Sequence, residues 1–171
     1  MQHKVFISYH HKDDYEVCNF VTKYSNSYEN TFIKRIVGNE YGTEINSNNP
    51  EYTMRVIREN YLTDSTVTIV MIGKETYKRK YVDWEIASTL RNDQNNKRSG
   101  LVGIFLPGCN QFNTPIPDRL LDNVKSGYAK LYNYPTNSYQ LSQIIEEAFN
   151  NRILKSNNID NSRKLKEYNQ L

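Results

Sequence analysis

Apolar runs alternate with helically spaced stretches along the whole chain. KVFISY (4–9), STVTIVMIG (65–73) and GLVGIFLPG (100–108) are short β-rich runs, the second stopped by Gly73 and the third closed by Pro107 and Gly108. FIKRIVG (32–38) and YAKLYNYP (128–135) are weaker runs of the same kind and are expected nearer the sheet edges. Between them, Asp13 or Asp14 can cap a helix through about Tyr24, with Tyr15, Val17, Cys18 and Val21 at helical spacing. Pro50 suits the first turn of a second helix that carries Met54, Ile57 and Tyr61 inward. Lys74 to Arg91 reads as a third helical region broken near Lys80. Ser138 to Lys155 is the clearest helix, with Leu141, Ile144, Ile145, Ala148, Phe149 and Ile153 on one face.

Strands alternating with helices predict a parallel sheet covered on both faces. Five strands with right-handed crossovers predict an α/β fold, a flavodoxin-like three-layer sandwich with a five-stranded parallel sheet in the order 2-1-3-4-5. Residues 1–155 are expected to form one domain, and the polar stretch 156–171 a loosely attached or helical C-terminal tail. In such sheets ligands bind outside the carboxyl ends of the strands, at the switch between strands 1 and 3. Residues 9–14 leave strand 1 there, and Gly73 to Tyr77 leave strand 3 beside them. The Gly- and Asn-rich linker GNEYGTEINSNNP (38–50) is expected to hang over the same crevice as a mobile loop.

Composition narrows the picture. A chain of 171 residues can bury one core without disulfides or metal. With 37% hydrophobic residues and 14 tyrosines, that core is expected to be small and aromatic-rich. A formal charge of +3 with scattered lysines argues against nucleic acid as a partner. Cys18 and Cys109 lie far apart without a CxxC spacing, which points to a reducing cytoplasm and to neither a disulfide framework nor a zinc site. No segment approaches the roughly 20 apolar residues of a membrane span, and no signal-peptide pattern opens the chain. The chain contains no Walker A loop, GxGxxG fingerprint, GxSxG elbow or HExxH motif.

Glu85, in KRKYVDWEIASTL (78–90), is the leading candidate for chemistry. At about 100° per residue, Val82, Ile86 and Thr89 face inward and Glu85 falls on the helix margin beside Tyr81 and Lys78. A half-desolvated carboxylate there suits a group that stabilises positive charge or binds sugar hydroxyls. The competing reading is a solvated glutamate paired with Lys78 or Arg79. Trp84 points away from the buried stripe, as an assembly surface or as cover under a neighbouring segment. His10 and His11 could ligate a metal or pair with Asp13 or Asp14 in acid–base work. Adjacent side chains on an extended chain diverge, however, and a solvated turn with a helix cap is the simpler reading.

These segments carry a resemblance. KVFISYHHKDD resembles the first strand and following loop of TIR-domain proteins. TDSTVTIVMIGKETYKRKYVDWEIASTL resembles their third strand and third helix, with an aromatic residue, three residues, then glutamate. KLYNYPTNSYQLSQIIEEAFNNRI is similar to the last strand and helix of the TIR-like proteins of bacterial Thoeris anti-phage defence, the ThsB type. The likeness spans residues 4 to about 154. It implies cleavage of the nicotinamide–ribose bond of NAD with Glu85 catalytic, and a pocket lined by Ser8, Tyr9, His10 and Tyr81, the last standing where the family often has tryptophan. NAD is then substrate, with no separate cofactor. The implied product is a cyclic ADP-ribose isomer that signals to a separate effector, and self-association is expected to support activity. Two alternatives remain open. One is a catalytically silent TIR-like module for protein–protein assembly; the other is a receiver-like, phosphate-accepting domain using Asp13 or Asp14.

Overall fold

The computed structural model describes residues 2–25, 31–37, 49–94 and 97–171. The loop expected over 38–50 falls almost wholly outside them, as does the inward side chain expected of Tyr61. The strands are β1 (His3–Ser8), β2 (Phe32–Val37), β3 (Val67–Ile72), β4 (Gly100–Phe105) and β5 (Lys130–Tyr132). They pair in parallel in the spatial order β2-β1-β3-β4-β5. Every residue of β3 and β4 is buried. Continuous apolar runs such as VTIVMI are what a strand covered on both faces requires. The three-residue β5 has an exposed or half-buried pattern and lies at an edge.

Five helices flank the sheet: α1 (Asp14–Ser25), α2 (Pro50–Ile57), α3 (Lys80–Leu90), α4 (Asp118–Lys125) and α5 (Ser138–Leu154). On one face, Val5, Ile7 and Tyr9 of the β1 segment pack with Val17 and Phe20 of α1 and Leu141 and Ile145 of α5. On the other, Val70, Ile72 and Leu101 meet Val82, Ile86 and Leu90 of α3 and Leu120 of α4. Phe6 packs there with Ile57 and Leu62. The result is an α/β fold consistent with the flavodoxin-like layout.

The helix starts differ in detail from the sequence expectation. A 3-10 turn over His11–Asp13 precedes α1, and the His10 ring accepts a hydrogen bond from the Lys12 amide at 3.1 Å. Asn49 caps α2 through the amides of Glu51 and Tyr52, with Pro50 at its first position. The break in the third helical region falls at Arg79, an extended residue between a 3-10 turn (Thr76–Lys78) and α3.

The C-terminal tail is neither loose nor α-helical. After a 3-10 turn at Ser156–Asn158 it runs along α4 and α3. The Asn123 side chain donates to the Asp160 carbonyl at 2.7 Å, and Asn161 donates to the Ala87 carbonyl at 3.0 Å. The amides of Lys166 and Gln170 donate to the Asp83 carboxylate and the Lys78 carbonyl, each at 2.9 Å. These polar, largely backbone-mediated attachments are joined by two apolar ones, Ile159 against the core under α3 and α4 and Leu165 against Trp84, so the polar composition of 156–171 does not loosen the segment.

Candidate functional site

Burial of α3 runs without a gap from Val82 to Leu90. Glu85 is only 1% exposed, so the half-desolvated position expected for it is replaced by full burial. The hydroxyl of Ser8, at the end of β1, donates to Glu85 Oε2. Glu85 Oε1 is buried and, among the described residues, has no hydrogen-bond partner. Burial pushes the carboxyl up to about 8, against the opposing effects of the Ser8 hydrogen bond and the Arg79 charge.

Strand alternation divides the expected pocket. Phe6 and Ser8 face the side of α2 and α3, whereas Val5, Ile7 and Tyr9 face α1 and α5. Ser8 therefore meets Glu85. Tyr9 is buried in the opposite core, and its hydroxyl donates to Asp14 Oδ1. His10 stays at the strand exit, nearly buried, with its ring centroid 4.3 Å from that of His11. Burial, with neighbouring His11 and Arg79, brings its pKa down to about 4, so its ring is neutral at neutral pH. Tyr81 is half-buried one turn before Glu85, with its ring 5.2 Å from Trp84 in an edge-on arrangement. Among the described residues, no group of three or more His, Cys, Asp or Glu side chains is placed to hold a metal ion.

Trp84 corrects the idea of an outward assembly surface. It is 1% exposed, packs with Met54, Ala87 and Leu165, and donates its indole N–H to the Lys166 carbonyl at 2.8 Å. Beside it lies an ion pair that spacing along the chain does not announce. Arg119 of α4 donates through Nε and Nη2 to the two Asp83 oxygens at 2.8 and 3.2 Å, with both side chains buried. Its remaining donors reach Asn161 at 2.9 Å and the Lys164 carbonyl at 3.1 Å. The far side of α3 is thus sealed by α4 and the tail.

At the carboxyl ends of the strands lies a cleft of about 380 Å³ lined by residues including Lys12, Asp13, Gly73, Leu106 and Cys109. Asp13 lies so close over Gly73 that a Cβ at Gly73 would clash with its carboxylate. Burial and the neighbouring Glu16 and Glu75 raise the Asp13 carboxyl above its ordinary value. Asp14 is engaged by Tyr9, and Asn133, Tyr134 and Pro135 follow β5 with no lysine among them. The receiver-like reading finds no support in this arrangement.

A parallel α/β sheet whose third helix holds a buried glutamate against the end of the first strand has the layout of a TIR-like domain. Residues 6–111 match the family model described as Thoeris protein ThsB, TIR-like domain, and the chain belongs to that family. The match includes Ser8 and Glu85 and ends before α4. A comparison with curated proteins gives no match. No helix among the described residues is long and apolar enough to cross a membrane.

Proposed function

We propose that this protein consumes NAD, cleaving the nicotinamide–ribose bond and releasing a cyclic ADP-ribose-derived second messenger in bacterial anti-phage defence. The observation that carries this reading is Glu85: one oxygen is fixed by Ser8, and the other is buried without a partner among the described residues. Nicotinamide leaves as a neutral molecule, and the sugar passes through an oxocarbenium-like state. A fixed carboxylate in a low-dielectric site opposes that developing charge far more strongly than one in water. The unpartnered oxygen is free to accept a ribose hydroxyl. Because Glu85 is closed off, entry of the ribose requires its surroundings to open.

On this reading NAD is a substrate with no separate cofactor, and Ser8 positions Glu85. His10 and Tyr81 border the entry, and Tyr9 supports the strand exit from the opposite core. The product acts on a separate effector in the cytoplasm. Any self-association that supports activity uses surfaces other than Trp84. The alternative, a catalytically silent assembly module, draws on one fact, the closure of Glu85 to solvent. Nicotinamide release by the wild type and by Glu85→Gln separates the two. Turnover is expected to fall by roughly 10² or more while NAD binding survives. Equal turnover by the two proteins overturns the role of Glu85, and failure of the wild type to bind or cleave NAD, even in extracts of infected cells, favours the module.

A further inference from the structure

Arg79 joins the strand-1 exit to the helix that carries Glu85, and the proposed chemistry leaves it unused. It is the extended residue immediately before α3, which has no side-chain cap at its start. Its Nη1 lies 3.1 Å from His11 Nδ1, and its guanidinium carbon is 5.2 Å from the centre of the Tyr81 ring. Its Nε is buried with no hydrogen-bond partner among the described residues. Its charge reaches both His10 and Glu85.

The acidic side chain four residues before Arg79 is already engaged. Glu75 pairs with Lys12 at 2.5 Å and with Lys78 at 3.8 Å, and no ion pair of Arg79 is found among the described residues. The guanidinium is therefore oriented by a histidine and an aromatic ring, neither of which neutralises it. It also stands at the positive end of an 11-residue helix. A planar fork of donors held beside a helix N-terminus is suited to the oxygens of a phosphate.

We propose that Arg79 binds the diphosphate of a dinucleotide substrate and selects phosphate-bearing ligands over free nucleosides. The assignment rests on the reading of Glu85 as the group that meets the reacting ribose. The 5′-phosphate of a nicotinamide nucleotide is carried by that same ribose, so a sugar held at Glu85 brings its phosphate toward the neighbouring cation. Lys12 and Lys78, both beside Glu75, add positive charge at the same end.

Titrations followed by protein NMR, which resolves weak affinities, compare NAD, ADP-ribose and nicotinamide riboside on wild type, Arg79→Gln and Arg79→Lys. Arg79→Gln is expected to weaken NAD and ADP-ribose by about tenfold or more, the size of one charge-assisted contact. Nicotinamide riboside is expected to change by less than about twofold. Arg79→Lys keeps the charge but loses the fork, and is expected to fall between. Wild-type binding of NAD and ADP-ribose that Arg79→Gln leaves unchanged overturns this assignment alone, as does an equal loss for all three ligands. If none of the ligands binds the wild type, even with extract of infected cells added, the assignment and the proposed function fall together.

Discussion

Glu85→Gln is expected to slow turnover and, at neutral pH and above, to raise stability relative to wild type. In the unfolded chain this carboxyl titrates near 4.5, and in the folded protein burial moves it up to about 8. Between those values the folded protein holds a proton that the unfolded chain has released. Stability contributed by Glu85 is therefore greatest below pH 4.5, falls by about 1.4 kcal/mol per pH unit up to about 8, and is flat above. By pH 7 the cumulative cost is on the order of 3 kcal/mol. Glu85→Gln removes this titration. The introduced amide can donate to the Ser8 oxygen, but its second N–H is buried without an acceptor, at a cost of about 1–3 kcal/mol. That offset does not depend on pH, so the slope is diagnostic where the absolute difference is not. Urea unfolding of both proteins at pH 5, 6, 7 and 8 measures it, and titrations common to the two, including that of His10, cancel in the difference. A stability difference that stays within about 0.5 kcal/mol across this range would refute the buried, proton-holding carboxyl.

Two further outcomes follow from the same geometry. If Glu85 must be ionised to act, kcat/KM for NAD rises about tenfold per pH unit from pH 6 and levels near 8, where the free-protein carboxyl titrates; a flat pH–rate profile over that range contradicts this. Trp84→Ala removes a side chain packed among Met54, Ala87 and Leu165 together with its bond to Lys166, and is expected to cost about 3–5 kcal/mol and to open the tail to limited proteolysis. Wild-type stability with an uncut tail would favour the assembly surface over the intramolecular cover, the two roles expected of Trp84.

The strand runs and the long α5 were legible in the sequence because their signal is local. VTIVMI is apolar throughout and ends at a glycine, and the Leu141–Ile145–Ala148 face repeats at helical spacing. α4 is amphipathic at helical spacing but is absent from the sequence expectation. Its sequence DRLLDNVK is short, and two of its three buried residues, Arg119 and Asn123, are polar and buried by pairing with Asp83 and with the tail. Tail docking was illegible. A hydrogen bond from a backbone amide to a carboxylate 83 positions away leaves no periodic trace.

The candidate site was legible as residue identities and illegible as environment. Ser8 and Glu85 emerge from the family resemblance, and the structure joins them by a hydrogen bond. The helical spacing of 78–90 also picks out Val82, Ile86 and Thr89 as inward, and all three are buried. The error lay in converting the remaining angles into exposure. A helical wheel assigns a solvent face only when a helix packs against one neighbour, and α3 has partners on every side. The sheet takes Val82 and Ile86, α2 and the tail enclose Trp84, α4 pairs with Asp83, and Ser8 of β1 takes Glu85. Sealing α3 in this way is what raises the Glu85 pKa, since a carboxylate that could reach water would lose the desolvation that shifts it. The tail, outside the region matched to the family, acts on the other side of the helix: it takes the Asp83 carboxylate and the Trp84 indole and so fixes the helix that presents Glu85 to Ser8.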